Sequence, residues 1–122
     1  MPLRLIVTLA ALGLTPLAPG AEISFNRDIR PILSEYCLAC HGPGKQVAKL
    51  RLDLPDAAKK GGKSGVPAIV PGKSGSSELV KRLHTDVETE RMPPASTRKA
   101  PSPREVKLLE SWIAARSEEH TS

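Results

Sequence analysis

The chain has 122 residues, enough for one ordinary domain, and its only aromatic residues are Phe25, Tyr36 and Trp112. So little aromatic bulk predicts that something other than side chains fills part of the core. Lys and Arg number 18 against 13 Asp and Glu, and the 39% hydrophobic and 25% charged fractions exclude a wholly disordered chain. Two cysteines exclude a multi-disulfide scaffold, and no apolar stretch reaches the ~18 residues of a spanning helix.

Residues 1–21 are typical of an export signal. Arg4 precedes an uncharged, mainly apolar run from Leu5 to Leu14, and small residues stand at the third and first places before Ala21. A buried amphipathic helix and an uncleaved membrane anchor are the alternatives, but the run is short for a span and shows no polar face. We therefore expect removal of this segment and export to a periplasmic or other extracytoplasmic compartment, where two cysteines could pair.

Residues 22–115 are expected to form a single all-α domain, because three helical patterns alternate with loops rich in glycine and proline. In the first pattern Ser24 or Asn26 can cap a helix that runs into Cys37. Its apolar side chains recur near helical spacing, at Phe25, Ile29, Ile32 or Leu33, and Tyr36. A short helix at 56–59 is only weakly indicated. The second pattern covers 76–83, after the Pro71-Gly72 turn, with hydroxyl side chains as caps.

The third pattern is the clearest. Ser102 and Glu105 have the spacing of a capping box, and Pro103 occupies the first helical position. A wide apolar stripe follows, made of Val106, Leu108, Leu109, Trp112 and Ile113. We expect the first and last helices to cross, with Phe25 and Ile29 against this stripe.

Residues 116–122 follow this helix without a glycine stop or turn chemistry. The string matches the in-frame translation of a common sequencing-adapter DNA, so we expect a non-native tail, with the natural chain departing at about Arg116 and continuing beyond it. An ordinary polar tail is the alternative. Resequencing the source DNA across this junction tests the hypothesis, and Glu118, Glu119 and His120 receive no functional weight in either case.

The chemical signal of the chain is the pentapeptide Cys37-Leu-Ala-Cys40-His41. Covalent haem attachment needs two thiols one helical turn apart, for the two vinyl groups, and an imidazole directly after them as the proximal iron ligand. A thioredoxin-like dithiol would require a βαβ unit, which this chain lacks, and a zinc site would need further Cys or His residues at ligand spacing. A disulfide between the two cysteines would close a small, strained ring. An export signal, a helical chain and scarce aromatic residues favour one c-type haem, attached through Cys37 and Cys40.

The sixth iron ligand can be sought among the remaining side chains that commonly bind haem iron. Between His41 and Ala115 these are Met92 and His84. Met92 precedes two prolines that stiffen its loop, whereas His84 ends a predicted helix, so Met92 is favoured. An open site and ligation by His84 remain as alternatives.

Several segments, in order, resemble the planctomycete-type cytochrome c domain. They are Phe25-Asn-Arg-Asp-Ile-Arg-Pro-Ile-Leu33, Cys37-Leu-Ala-Cys-His-Gly-Pro43, Leu50-Arg-Leu-Asp53, Val70-Pro-Gly-Lys73 with Ser77-Glu-Leu-Val80, Arg91-Met-Pro-Pro94, and 105–114. The resemblance covers essentially all of residues 23–114. It implies a small class I cytochrome c-like fold of three to four helices around a covalently bound haem, with His41 and Met92 as axial iron ligands. Such domains often stand at the N-terminus of larger exported proteins.

We therefore expect an electron-transfer domain without catalytic activity of its own, serving a redox partner protein or a downstream domain of the same natural chain. A haem enzyme or gas sensor with an open or labile sixth site, and a thiol-redox module without haem, are the alternatives. Ile32, Leu33, Tyr36, Leu52, Leu79 and Leu83 are expected to line the haem pocket. The chain has no basic helix and no aromatic stacking platform, so a nucleic-acid partner is not expected, nor is stable membrane insertion after signal removal.

Charged side chains suggest further roles. Lys45 and Lys49 follow the haem motif closely and could guide an acidic partner, although a solvated loop explains them as well. Arg51 or Arg91 could pair with a haem propionate, and Asp53 could cap the segment after it.

Overall fold

The computed structural model describes residues 22–116, and within them it contains four α-helices and no β-strand. The helices are α1 at Arg30–Tyr36, α2 at Pro55–Lys60, α3 at Glu78–His84 and α4 at Pro103–Ala115. The expected all-α class is thereby confirmed. The interpretations of residues 1–21 as an export signal and of 117–122 as a non-native tail lie outside the described residues. Between residues 22 and 116, no helix is both long and apolar enough to cross a membrane.

Helix α1 continues a π-helical segment at Phe25–Ile29, so one helical run leads up to Cys37. Ser24, rather than Asn26, is its cap, because the Ser24 hydroxyl accepts a hydrogen bond from the backbone N–H of Arg27. Pro31 has no backbone N–H to donate, and the change from π-helical to α-helical hydrogen bonding lies directly before it, where the Arg30 N–H bonds to the Phe25 carbonyl.

Helix α4 begins as the sequence predicts. The Ser102 hydroxyl accepts from the Glu105 backbone N–H at 3.1 Å, and the Glu105 carboxylate accepts from the Ser102 backbone N–H at 2.9 Å. This capping box satisfies two amides that the helix itself leaves without partners, so the start of α4 is fixed locally.

The core is formed where the first helical run packs against α4. The rings of Phe25 and Trp112 are 5.4 Å apart, as the crossing of the first and last helices predicts. The most deeply buried large side chains are aliphatic ones from both helices, namely Ile29, Leu33, Leu109 and Ile113. Burial of an aliphatic side chain contributes about 1.5–3 kcal/mol, so this contact is the main apolar stabilisation of the described chain.

Helix α3 starts two residues later than the pattern predicts, because the Ser77 side chain bonds to the preceding turn instead of to the helix. This side chain is fully buried, accepts from the Val70 backbone N–H at 2.8 Å and donates to the Lys73 carbonyl oxygen at 3.0 Å. The hydroxyl therefore holds the 70–73 turn against the start of α3 and caps no helix.

Replacing the fully buried Ser77 by alanine is expected to lower the free energy of unfolding by about 1–3 kcal/mol, because it leaves the half-buried Val70 amide without an acceptor and removes a hydrogen bond to the Lys73 carbonyl. Urea unfolding followed by circular dichroism measures this. Ser76 is exposed and provides the matched control, since Ser76→Ala should change stability by less than about 0.5 kcal/mol. Equal effects of the two substitutions would contradict the structural role of the Ser77 hydroxyl.

Candidate functional site

The end of α1 passes into a tight turn that carries both cysteines. The Cys37 backbone N–H donates to the Leu33 carbonyl at 2.8 Å, and those of Cys40 and His41 donate to the Cys37 carbonyl at 3.2 and 3.0 Å. Helical hydrogen bonding thus continues through one further turn, which places the two thiols and the imidazole close together. Cys37 and Cys40 are both half-buried and are not joined by a disulfide.

Burial raises the pKa of the Cys37 thiol to about 11. The thiol is therefore neutral at pH 7, and its site suits an uncharged sulfur such as that of a thioether.

His41 is held by its surroundings on two sides. Its side chain is buried, and Nδ1 lies 3.1 Å from the Val47 carbonyl oxygen. A carbonyl can only accept, so Nδ1 carries the proton and Nε2 keeps a lone pair that can bind a metal. The His41 carbonyl in turn accepts from the Leu52 backbone N–H at 2.8 Å. These contacts fix the orientation of the ring and leave Nε2 as the nitrogen available to a metal.

Gly42 follows the imidazole at a point where the backbone has no room for a side chain. A Cβ atom added there would lie 2.4 Å from the Leu38 carbonyl oxygen, well inside contact distance. The Gly42 backbone N–H also donates to the Lys45 carbonyl at 2.9 Å, which turns the chain back directly after the motif. Glycine at this position is thus required by close approach of the backbone.

A mainly apolar cavity of about 340 Å³ opens beside this turn, within the usual volume range of ligand sites. Cys37, Cys40 and His41 line it, and so does Met92, which is 51 positions further along the chain than His41. The structure therefore brings all four predicted site residues to one cavity. The remaining apolar wall is formed by Val47, Leu50, Leu52, Val66, Ala68, Leu79, Leu83, Pro93 and Leu109.

Met92 lies on a loop that is attached to α3. Its backbone N–H donates to the Arg82 carbonyl at 3.1 Å, and the Arg82 guanidinium donates to the Glu90 carbonyl at 3.2 Å. The same guanidinium pairs with Glu78 at 3.2 Å, one helical turn earlier. The peptide bond between Met92 and Pro93 is cis. Arg82 also lines the cavity, and it holds the loop that presents Met92 there.

His84, the alternative distal ligand, points elsewhere. Its Nε2 contacts the Glu110 carboxylate on α4, and the side chain is more than half exposed. It is not among the residues that line the cavity. Of the two side chains that the sequence offered, the structure places Met92 at the cavity.

Two of the predicted pocket residues are placed differently. Tyr36, Leu52, Leu79 and Leu83 line the cavity as expected, but Ile32 and Leu33 lie in the packed core. The expectation for this pair is wrong, because both side chains are nearly completely buried in the core cluster and neither is among the residues that line the cavity. The apolar spacing predicted that these residues are buried but not which of them line the cavity.

Two of the charged residues after the cysteine turn are paired with each other. Arg51 donates two hydrogen bonds to the Asp53 carboxylate, at 3.0 and 2.5 Å. Chiefly through these bonds, the pKa of Arg51 is raised and the pKa of Asp53 is lowered, so both side chains favour their charged forms. Asp53 therefore caps no helix, and neither Arg51 nor Arg91 lines the cavity. The cations that do are Arg82 and Lys63, which the sequence analysis missed because only the folding of distant loops brings them there.

Tyr36 connects the cavity wall to the start of α4. Its hydroxyl donates to the Glu105 carboxylate at 3.0 Å, and this bond raises the pKa of the phenol. Hydrogen bonds, first from the Ser102 backbone and then from Tyr36, lower the pKa of Glu105. The residue directly before Cys37 is thereby attached to the capping box of α4.

A helical fold, a Cys-x-x-Cys-His turn and a methionine at the same apolar cavity define a c-type cytochrome domain. The family model Planctomycete cytochrome C matches residues 37–96, and the chain carries a domain of this planctomycete type, as the sequence resemblance indicates. Neither the curated proteins nor the solved structures include a significant match to the chain. Cytochrome c domains are typically extracytoplasmic.

The family implies a covalently bound haem c, and the residues present fit that group. The fit rests on the donor set: two thiols without a disulfide, and an imidazole whose Nδ1 hydrogen bond leaves Nε2 for iron. Among residues 22–116, no cluster of three or more His, Cys, Asp or Glu side chains is suited to a bare metal ion. Cys37 and Cys40 are positioned for the two thioether bonds.

Gly42→Ala is expected to lower both the free energy of unfolding, by about 1–3 kcal/mol, and the yield of haem attachment, because the new methyl group would displace the Leu38 carbonyl. Denaturant unfolding and the haem-to-protein absorbance ratio measure the two effects. Gly44 has no atom within 4 Å of a built Cβ, so Gly44→Ala is the matched control and should change neither value. A normal yield with Gly42→Ala would contradict the steric requirement.

Glu105→Gln is expected to destabilise the protein by about 0.5–1 kcal/mol at pH 7, because an amide accepts the Ser102 and Tyr36 hydrogen bonds less strongly than a carboxylate. The pKa of Glu105 is lowered in the folded protein, so its stabilising effect is present above the unfolded pKa and is lost as the pH falls through the folded one. The difference between the two proteins should therefore shrink between pH 5 and pH 3.

Unfolding free energies measured across that pH range provide the test. Exposed Glu88 is the control, and Glu88→Gln should leave stability nearly unchanged at every pH. A Glu105→Gln deficit that grows as the pH falls would contradict the assignment.

Proposed function

We propose that the protein is an exported cytochrome c domain that transfers single electrons through one haem, bound to Cys37 and Cys40 with His41 and Met92 as axial ligands. The observation that carries this proposal is the placement of His41 and Met92 on one cavity, with His84 engaged at Glu110. When bound, the haem iron supplies a one-electron redox couple, and ligation by histidine and methionine raises its reduction potential.

The chain's own residues supply the conditions that electron transfer needs. The apolar wall around His41 and Met92 keeps water from the iron site and lowers the local dielectric constant. The Val47 carbonyl orients the imidazole, and the Arg82 carbonyl positions the loop of Met92. Electron transfer forms and breaks no covalent bond of a substrate. It therefore needs no nucleophile and no general acid–base pair.

The position of the protein in the cell is part of the same proposal. The leader-like residues 1–21 and the typical extracytoplasmic location of cytochrome c domains support export to the periplasm or its equivalent. The electron donor or acceptor is then a separate redox protein or a downstream domain of the same natural chain.

Substitution of Met92 by alanine tests the ligand set. The full chain, produced with a cytochrome c maturation system and exported, is expected to show a sharp α band when reduced and a weak near-infrared charge-transfer band when oxidised. Met92→Ala should abolish the near-infrared band and lower the reduction potential, because the thioether ligand is lost. Absorption spectra and redox titration measure these changes.

His84→Ala is the matched control and should preserve the band and the potential, since His84 lies away from the cavity. Haem attachment without the methionine signature, together with rapid binding of carbon monoxide by the reduced protein, would instead support an enzyme or gas sensor with an open sixth site. A colourless protein would overturn haem attachment itself.

A further inference from the structure

Two neighbouring residues beside the cavity have a backbone conformation that L-amino acids rarely adopt. Ala48 and Lys49 have φ angles of 55° and 58°, in the left-handed region. This region brings Cβ close to a carbonyl oxygen, so residues other than glycine, asparagine and aspartate seldom occupy it. Two such residues in succession are strained, and the strain must be offset by contacts elsewhere in the structure.

The strained pair forms the centre of a tight turn. The Leu50 backbone N–H donates to the Val47 carbonyl at 3.2 Å, across Ala48 and Lys49. A turn of four residues with positive φ at both central positions is of type I′, which strongly favours Asn-Gly at its centre. Alanine and lysine do not favour this turn themselves, so its conformation is imposed by the surrounding chain.

Backbone contacts on both sides hold the turn. The Lys63 N–H donates to the Ala48 carbonyl at 2.7 Å, and the Val47 N–H donates to the Cys40 carbonyl at 2.8 Å. A Cβ atom added to Gly62 would lie 2.4 Å from the same Ala48 carbonyl oxygen. The turn is therefore fixed between the cysteine turn and the loop of Gly62, which approaches it too closely for a side chain.

The carbonyl that opens this turn is also the one that bonds to the imidazole. The Val47 carbonyl accepts the His41 Nδ1–H at 3.1 Å in addition to the Leu50 N–H. Negative φ at Ala48 and Lys49 would reverse the hand of the turn. The chain could not then keep this carbonyl on Nδ1 together with the bonds that the turn makes on its two sides.

We propose that Ala48 and Lys49 are positioning residues for His41: their left-handed turn aims the Val47 carbonyl at Nδ1 and thereby sets the donor strength of Nε2 toward the haem iron. This inference rests on the electron-transfer function proposed above. A carbonyl that accepts the Nδ1–H makes the imidazole a stronger donor, which favours the oxidised iron and lowers the reduction potential. The strained turn is in this way a determinant of the potential.

The test compares three variants of the haem-loaded full chain. Lys49 is the position to change, because its side chain is exposed and does not line the cavity. Lys49→Val opposes a positive φ, since a β-branched residue is an outlier there, whereas Lys49→Gly accepts it freely. Lys45→Val is the matched control, because it makes the same change at an exposed lysine of the same loop that is not among the residues with positive φ.

Two quantities are measured: the rate at which the His41 Nδ1–H exchanges with solvent in the reduced ¹⁵N-labelled protein, and the reduction potential. Lys49→Val is expected to speed the exchange about two- to tenfold relative to Lys45→Val, because the hydrogen bond is weakened. It should also raise the potential above that of Lys45→Val. Lys49→Gly should keep the original exchange rate and potential, which separates the turn from the lysine side chain.

Equal exchange rates and equal potentials in Lys49→Val and Lys45→Val would overturn the proposal, and so would a lower potential in Lys49→Val. Lys49→Thr and Lys45→Thr repeat the comparison with a polar β-branched side chain, so the result does not depend on the folding of one variant.

The two proposals fail differently. A haem protein without a reversible redox couple would contradict the proposed function, while the Nδ1–H exchange rates would still test the turn. A reversible couple with the methionine signature, but with the same exchange rate and potential in all the variants, would contradict the role of the turn alone.

Discussion

The site depends first on the packing of the first helical run, residues 25–36, against α4. Ile29 and Leu33 are fully buried with Leu109 and Ile113, and each such side chain contributes about 1.5–3 kcal/mol. The Tyr36–Glu105 hydrogen bond between the same helices contributes only about 0.5–1.5 kcal/mol. Packing therefore stabilises the contact, and the hydrogen bond fixes its rotation. Because the Cys37 amide bonds to the Leu33 carbonyl, the orientation of the cysteine turn follows from this packed helix end.

The cavity and the scarcity of aromatic residues are two sides of one packing problem: the side chains of this chain do not fill the space that its helices and loops surround. Leu109 belongs both to the packed core and to the cavity wall, so the two regions share a boundary rather than forming separate layers. Short helices joined by long glycine- and proline-rich loops can surround a large rigid group, whereas they bury too little surface to close over an all-protein core. The haem implied by the family is in this sense part of the hydrophobic core as well as the redox centre.

Features set by neighbouring residues could be predicted from the sequence, and features set by distant ones largely could not. The cysteine turn and the capping box of Ser102 depend on residues within four positions. Met92 could be predicted because few side chains bind haem iron, not because its position was known. The cavity roles of Ile32 and Leu33 were predicted wrongly, since a periodic stripe does not say which neighbour each part of it meets. Arg82 was missed because its contact with Glu90 exists only once the Met92 loop folds back on α3.

The two proposed axial ligands are held by forces of different strength. His41 lies directly after the two proposed attachment cysteines and follows an α1 end that is anchored in the core, so its displacement would require the core contact to change. Met92 is held through one backbone hydrogen bond to Arg82 and through the exposed bond of the Arg82 guanidinium to the Glu90 carbonyl. The partly exposed Arg82–Glu78 pair that supports this guanidinium contributes about 1 kcal/mol or less. A segment with fewer buried contacts opens locally at a lower free energy than one anchored in the core. The methionine side of the iron site is therefore the weaker one, and exchange of the sixth ligand would begin at the loop that α3 carries.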